Sequence, residues 1–133
     1  MNMHEKELFH KNKIKLTDQR KEVYNILSRA IQPLSLDEIQ NECYKIDFSS
    51  VYRSIRTFIQ KGIVTEHYFG DRKPKYSLKM NDSHRHYIKC SKCGRIDELK
   101  NVCIIDEVNK KTKYKIVDHY MEFIGVCPVC LKK

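Results

Sequence analysis

Apolar residues recur at the spacing of one helical face at Val23, Ile26, Leu27, Ala30 and Ile31, behind a Thr17 that can cap the helix, and Pro33 ends the pattern. Ser35 and Glu38 form a capping box for a second helix that turns Leu36, Ile39 and Cys43 to its apolar side. After Asp47, Ser49 or Ser50 can cap a third helix with Val51, Ile55, Phe58 and Ile59 inward, ending at Gly62. Two runs of strand composition, Ile63 to Phe69 and Lys75 to Leu78, flank a basic turn, Gly70-Asp71-Arg72-Lys73-Pro74. Helices followed by such a hairpin predict a winged helix-turn-helix, whose third helix enters the DNA major groove.

The second half reads differently. Ser83 to Lys89 and Arg95 to Leu99 pattern as short strands, residues 102–111 as a helix, and Tyr114 to Val126 as one long strand. Alternation along that strand puts Val117, His119, Met121 and Phe123 on one face and Tyr120, Glu122 and Ile124 on the other. Asn81, Asp82 and Ser83 are polar with little preference for regular structure, so they mark the hinge. The expected organisation is α+β: a winged-helix DNA-binding domain over residues 1–81 and an α/β metal-binding domain over residues 82–133.

Charge narrows the partner. Lys and Arg number 26 against 17 Asp and Glu, a net charge of +9 that favours a polyanion. The excess is spread along the chain, so charge alone does not locate the contact. Locally, Lys11, Lys13, Lys15, Arg20 and Lys21 cluster around Asp18. The outer face of the third helix carries Tyr52, Arg53, Arg56 and Gln60. Arg53 and Arg56 can reach guanine edges or phosphates, and Tyr52 a thymine methyl or a sugar; the alternative is an ordinary polar helix face. No apolar run approaches the roughly 18 residues that cross a bilayer, and the N-terminus lacks a hydrophobic leader pattern, which implies a cytoplasmic protein.

In a reducing compartment the six cysteines read as metal ligands or buried apolar side chains rather than disulfides. Cys90/Cys93 and Cys127/Cys130 form two C-x2-C knuckles, which can present four thiolates to one tetrahedral structural zinc. Cys43 falls on an apolar stripe and reads as a small buried side chain, while Cys103 needs its own explanation. His84 and His86, two apart on a strand, point to one side and can share an ion. His119 would add a third nitrogen and Asp106 an oxygen, a set suited to zinc, iron or manganese; the alternative is a surface histidine pair without metal. An enzyme is disfavoured, because there is no helix motif with a general-base Glu and only four glycines.

Four stretches together resemble the ferric uptake regulator (Fur) family of metal-responsive repressors. They are Thr17-Asp18-Gln19-Arg20; Ser50-Val51-Tyr52-Arg53 continuing to Gly62-Ile63-Val64; residues 84–94, from His84 to Gly94; and residues 119–130, from His119 to Cys130. The resemblance runs over essentially the whole chain. It implies a homodimer on an inverted-repeat operator in double-stranded DNA, with the second domain dimerising and carrying metal. It implies structural zinc at Cys90, Cys93, Cys127 and Cys130, and a regulatory divalent metal (Zn2+, Fe2+ or Mn2+) at His84, His86, His119 and an acid on the intervening helix. Asp106 takes that last place, with Glu107 or Cys103 as fallbacks because the helix-to-strand spacing here is a few residues short.

By the same resemblance Tyr52 and Arg53 touch bases and Lys15 approaches the minor groove, and Arg20, Ser50 and Arg56 join them in the expected DNA-contacting set. The regulatory ion is expected at the junction of the two domains, where it sets the angle between them. The chain also departs from the family. Pro33, Ser77, Arg85 and Tyr87 stand where many members have ligands of a further hinge site, which argues against peroxide sensing by that site's chemistry. Glu66, His67 or Glu98 remain as elements of a rebuilt site. The competing function is a constitutive zinc-ribbon module that binds nucleic acid without sensing metal.

Overall fold

The structure is a computed structural model that describes residues 3–79 and 85–133. The chain divides into two units, Met1–Lys79 and Met80–Lys133. In the first, α1 (Met3–Lys11), α2 (Asp18–Arg29), α3 (Leu36–Glu42) and α4 (Phe48–Gln60) precede a hairpin of β1 (Val64–His67) and β2 (Lys75–Leu78).

The middle of the N-terminal unit is set by α4, which buries Val51, Ile55 and Phe58 completely along one face. Val23, Tyr24, Ile26 and Leu27 of α2, Ile39 of α3 and Ile63, Val64 and Tyr76 of the hairpin close around them. Phe9, Tyr24 and Phe58 meet edge to face, with ring centroids 5.3, 5.6 and 6.3 Å apart. Such pairs contribute about 0.5–1.5 kcal/mol beyond their burial. Phe9 belongs to α1, a helix that shows no apolar period because its other positions are mostly polar.

The caps follow the sequence with one exception. Thr17 accepts the Arg20 amide at 3.2 Å, and Ser35 and Glu38 exchange both bonds of the capping box. For α4 the cap is Asp47, so Ser49 and Ser50 lie inside its first turn. Ile31, expected on the α2 stripe, falls past the helix end and is 91% exposed. The wing pairs antiparallel from Val64 opposite Leu78 to His67 opposite Lys75, and Leu34 adds a bridge to Tyr76 through bonds of 2.9 and 2.7 Å.

In the C-terminal unit, β3 (His86–Cys90) lies between antiparallel β4 (Ile96–Leu99) and parallel β5 (Glu122–Gly125), with α5 (Ile105–Asn109) and α6 (Pro128–Leu131) beside them in sequence. The single long strand expected over 114–126 reduces to its last third. β5 pairs only from Glu122 opposite Tyr87 to Gly125 opposite Cys90, while Tyr114, Val117 and Tyr120 are 84%, 88% and 80% exposed. Strand composition without a neighbour to complete the ladder does not hold a strand. The expected helix over 102–111 shortens to five residues, since Ile104 cannot cap it and no side chain of α5 is buried.

Truncating the shared centre of the N-terminal unit tests this packing. Ile55→Ala should cost about 2–5 kcal/mol, measured by chemical denaturation. A loss under about 1 kcal/mol would contradict the packing described.

Candidate metal centres and nucleic-acid surface

The four knuckle cysteines are brought together by strand pairing. Cys90 ends β3, and its carbonyl accepts the Gly94 amide at 3.0 Å, closing a turn in which Gly94 takes a φ of +80° that suits a residue without Cβ. Gly125 of β5 is the register partner of Cys90, so the chain leaves the sheet beside it two residues before Cys127. Cys127 caps α6, whose Pro128 start carries Cys130 round one turn.

All four sulfurs lie within 4.8 Å of one another, and those of Cys93 and Cys127 are 3.7 Å apart. Four sulfurs about 2.3 Å from a central zinc stand about 3.8 Å apart in a tetrahedron. Backbone amides of Cys127 and Cys93, 3.3 and 3.4 Å from the Cys90 sulfur, hold that thiol well below its ordinary value, at about 5. Cys130 is pushed up to about 12, first by the Cys127 side chain and then by burial. Sulfurs this crowded cannot all ionise without a cation among them, so the donor set fits zinc.

A second group of ligand type forms at the other end of β3. His86, Cys103 and His119 bring ligand atoms within 4.8 Å of one another. The His86 and His119 ring centroids are 5.3 Å apart, and the Cys103 sulfur is 3.5 Å from His119 Nε2. His86 is buried, and its Nδ1–H donates to the Met121 carbonyl at 3.2 Å. That bond fixes the tautomer and puts the ring's lone pair on Nε2, the arrangement usual for a metal-binding imidazole.

One expected ligand stands elsewhere. Asp106 is exposed in the first turn of α5 and does not join the group; nor does Glu107. The shortened α5 starts after Cys103, which leaves the sulfur rather than the carboxylates beside the imidazoles. His84 lies outside the described residues. His119 belongs to the stretch before β5 rather than to a strand.

The candidates for a rebuilt hinge site have other partners within their own units. His67 Nε2 meets the Ser77 hydroxyl at 2.7 Å, Glu66 faces Arg56 at 3.9 Å and accepts from Tyr68, and Glu98 faces Arg85 at 3.9 Å. Tyr87 is buried. Among the described residues neither ligand-type group includes Glu66, His67 or Glu98. Cys43 is buried against α3, its thiol donating to the Ile39 carbonyl at 3.1 Å, and burial raises its pKa.

On the N-terminal unit, Lys15, Arg20, Ser50, Tyr52, Arg53 and Arg56 line one cleft of about 580 Å³. Gln19 and Thr57, unmarked as contacts by their charge, line it too. Tyr52, Arg53 and Arg56 project from α4 on the side opposite Val51, Ile55 and Phe58. Ser50 is buried and links two charges: it donates to Asp47 at 2.6 Å and accepts from Arg53 Nη2 at 3.2 Å. That hydroxyl lowers the Asp47 pKa. Arg20 is likewise steadied by the Lys15 carbonyl, at 2.9 Å.

A winged helix-turn-helix with a basic cleft, followed by a small sheet that gathers four cysteines, defines a DNA-binding protein with a metal-type second unit. The chain belongs to the ferric uptake regulator family, metal-responsive transcriptional regulators, whose sequence pattern matches residues 11–124. It is 30% identical over 128 residues to the ferric uptake regulation protein of Neisseria gonorrhoeae, covering 90% of this chain and 88% of that one. The Helicobacter pylori ferric uptake regulator, described as having three functional metal binding sites, superposes with a TM-score of 0.76 at 26% identity over 98% of this chain and 91% of its own. The Vibrio cholerae regulator matches with a TM-score of 0.76 at 24% identity, covering 91% and 98%. These relatives lend no support to a constitutive zinc ribbon. No described helix is long and apolar enough to cross a membrane.

The cysteine cluster has a direct check. Cys93→Ser should release tightly held zinc and lower the thermal midpoint, because structural zinc contributes folding free energy. Elemental analysis and calorimetry read the two effects, and an unchanged zinc content would defeat the four-thiolate centre.

Proposed function

We propose that this chain is a dimeric repressor of metal-uptake or metal-homeostasis genes, in which a divalent ion bound by His86 and His119, with His84, controls affinity for an inverted-repeat operator. Zinc held by Cys90, Cys93, Cys127 and Cys130 is a permanent structural part. The observation that carries the reading is the pair of imidazoles 5.3 Å apart, one with its tautomer fixed by the Met121 carbonyl. An orienting acceptor behind a ring nitrogen is what a metal-binding histidine requires.

DNA binding falls to the cleft on the N-terminal unit. Arg53, held by Ser50, and Arg56 would read guanine edges or phosphates, with Tyr52 on a base or sugar and Lys15 and Arg20 on the flanking backbone. Dimerisation is supported by apolar side chains left in solvent on the C-terminal unit, including Tyr114, Val117, Tyr120 and Ile124. Two copies would present recognition helices about 34 Å apart, one helical turn of DNA. Metal and operator then share a coupling of about 1–3 kcal/mol, which makes the metal-bound protein roughly 5- to 150-fold tighter on its operator.

Two substitutions separate sensing from reading. His119→Ala should leave a folded dimer whose operator binding no longer responds to added metal, as followed by fluorescence anisotropy; a parental metal response would refute the sensor assignment. Arg53→Ala should weaken operator binding by about 1–3 kcal/mol and relax sequence preference at one position. An equal loss on random DNA would reassign Arg53 to a phosphate.

A further inference from the structure

We infer that the Cys103 thiolate is a ligand of the regulatory ion and makes this site select zinc over manganese and ferrous iron. The inference rests on the metal-sensing reading above and names the effector of that same site. Its ground is the donor set. Among the described residues the group at the far end of β3 holds two imidazoles and one sulfur, and no carboxylate belongs to it.

The spacing also fits. An imidazole nitrogen at about 2.0–2.1 Å and a thiolate at about 2.3 Å from one zinc stand roughly 3.6 Å apart at the tetrahedral angle. Cys103 Sγ and His119 Nε2 are 3.5 Å apart. Without metal this contact serves as a thiol–imidazole hydrogen bond. An ion would replace the shared proton, which leaves for solvent when the thiolate forms. The acids Asp106 and Glu107 sit exposed on α5, outside the group, so among the described residues it holds none of the hard oxygen donors that manganese favours. Thiolate and imidazole donors together favour zinc, which also binds N and S sites more tightly than manganese or ferrous iron in the general affinity order.

The test uses the full chain with its four-cysteine centre filled with zinc, titrated with cobalt(II) as a spectroscopic stand-in. The parent should take up cobalt with a near-ultraviolet sulfur-to-cobalt charge-transfer band, and Cys103→Ser should bind cobalt without that band. Cobalt uptake by the parent with no such band would overturn the assignment. So would a band that persists in Cys103→Ser, since its sulfur must then come from the four-cysteine centre. Failure of the parent to bind cobalt or zinc at a second site would instead remove the sensing reading itself. In competition titrations, Cys103→Asp should narrow the preference for zinc over manganese by at least about tenfold. An unchanged ratio would show that the sulfur does not set selectivity.

Discussion

The C-terminal unit depends on the crowding of four sulfurs that repel one another as soon as they ionise. Its described apolar core is slight, with Tyr87, Cys90, Ile96 and Cys130 buried and no buried side chain in α5. A sheet of three short strands with so little burial needs a further staple, and small domains commonly use a metal for it. The geometry that crowds the sulfurs is the same one that aligns β5 with β3, since Gly125 sits opposite Cys90. A cation at that point would stabilise the register as well as the thiolates. β3, so anchored at its Cys90 end, holds His86 at the other.

The N-terminal unit solves a different problem with one helix. α4 buries one face completely and leaves the other in solvent, and its residues divide cleanly between Val51, Ile55 and Phe58 on the first and Tyr52, Arg53 and Arg56, the proposed DNA-reading side chains, on the second. Holding a long arginine ready costs side-chain entropy. The bonds from Asp47 through Ser50 to Arg53 restrict it before any DNA arrives. Ser50 thus belongs to the proposed reading surface through the side chain it steadies.

Much of this was legible in the residues, and the failures share a cause. Periodicity located α2, α3 and α4 because each has an apolar face buried within its own unit, composition and a basic turn located both wing strands, and the capping box at Ser35 and Glu38 has a short-range signature. Paired knuckles likewise announce themselves by spacing. Residues 114–121 misled because Val117, His119 and Met121 fall on one face of an alternating run as in a strand, yet a strand also needs a neighbour, which composition does not report. Chemical type points to Asp106 ahead of Cys103, while which of them stands beside the imidazoles depends on where a weakly capped helix begins, and here that is Cys103. Phe9 was missed since a lone aromatic residue in a polar helix makes no period.

Metal sensing by this chain is a thermodynamic claim about two ligands, ion and operator, each of which must tighten the other equally. The most direct measurement is the metal affinity of the zinc-filled protein's second site, determined with and without saturating operator duplex. The account predicts that operator strengthens metal binding by the factor by which metal strengthens operator binding, roughly 5- to 150-fold. Identical metal affinity in the two conditions would contradict it.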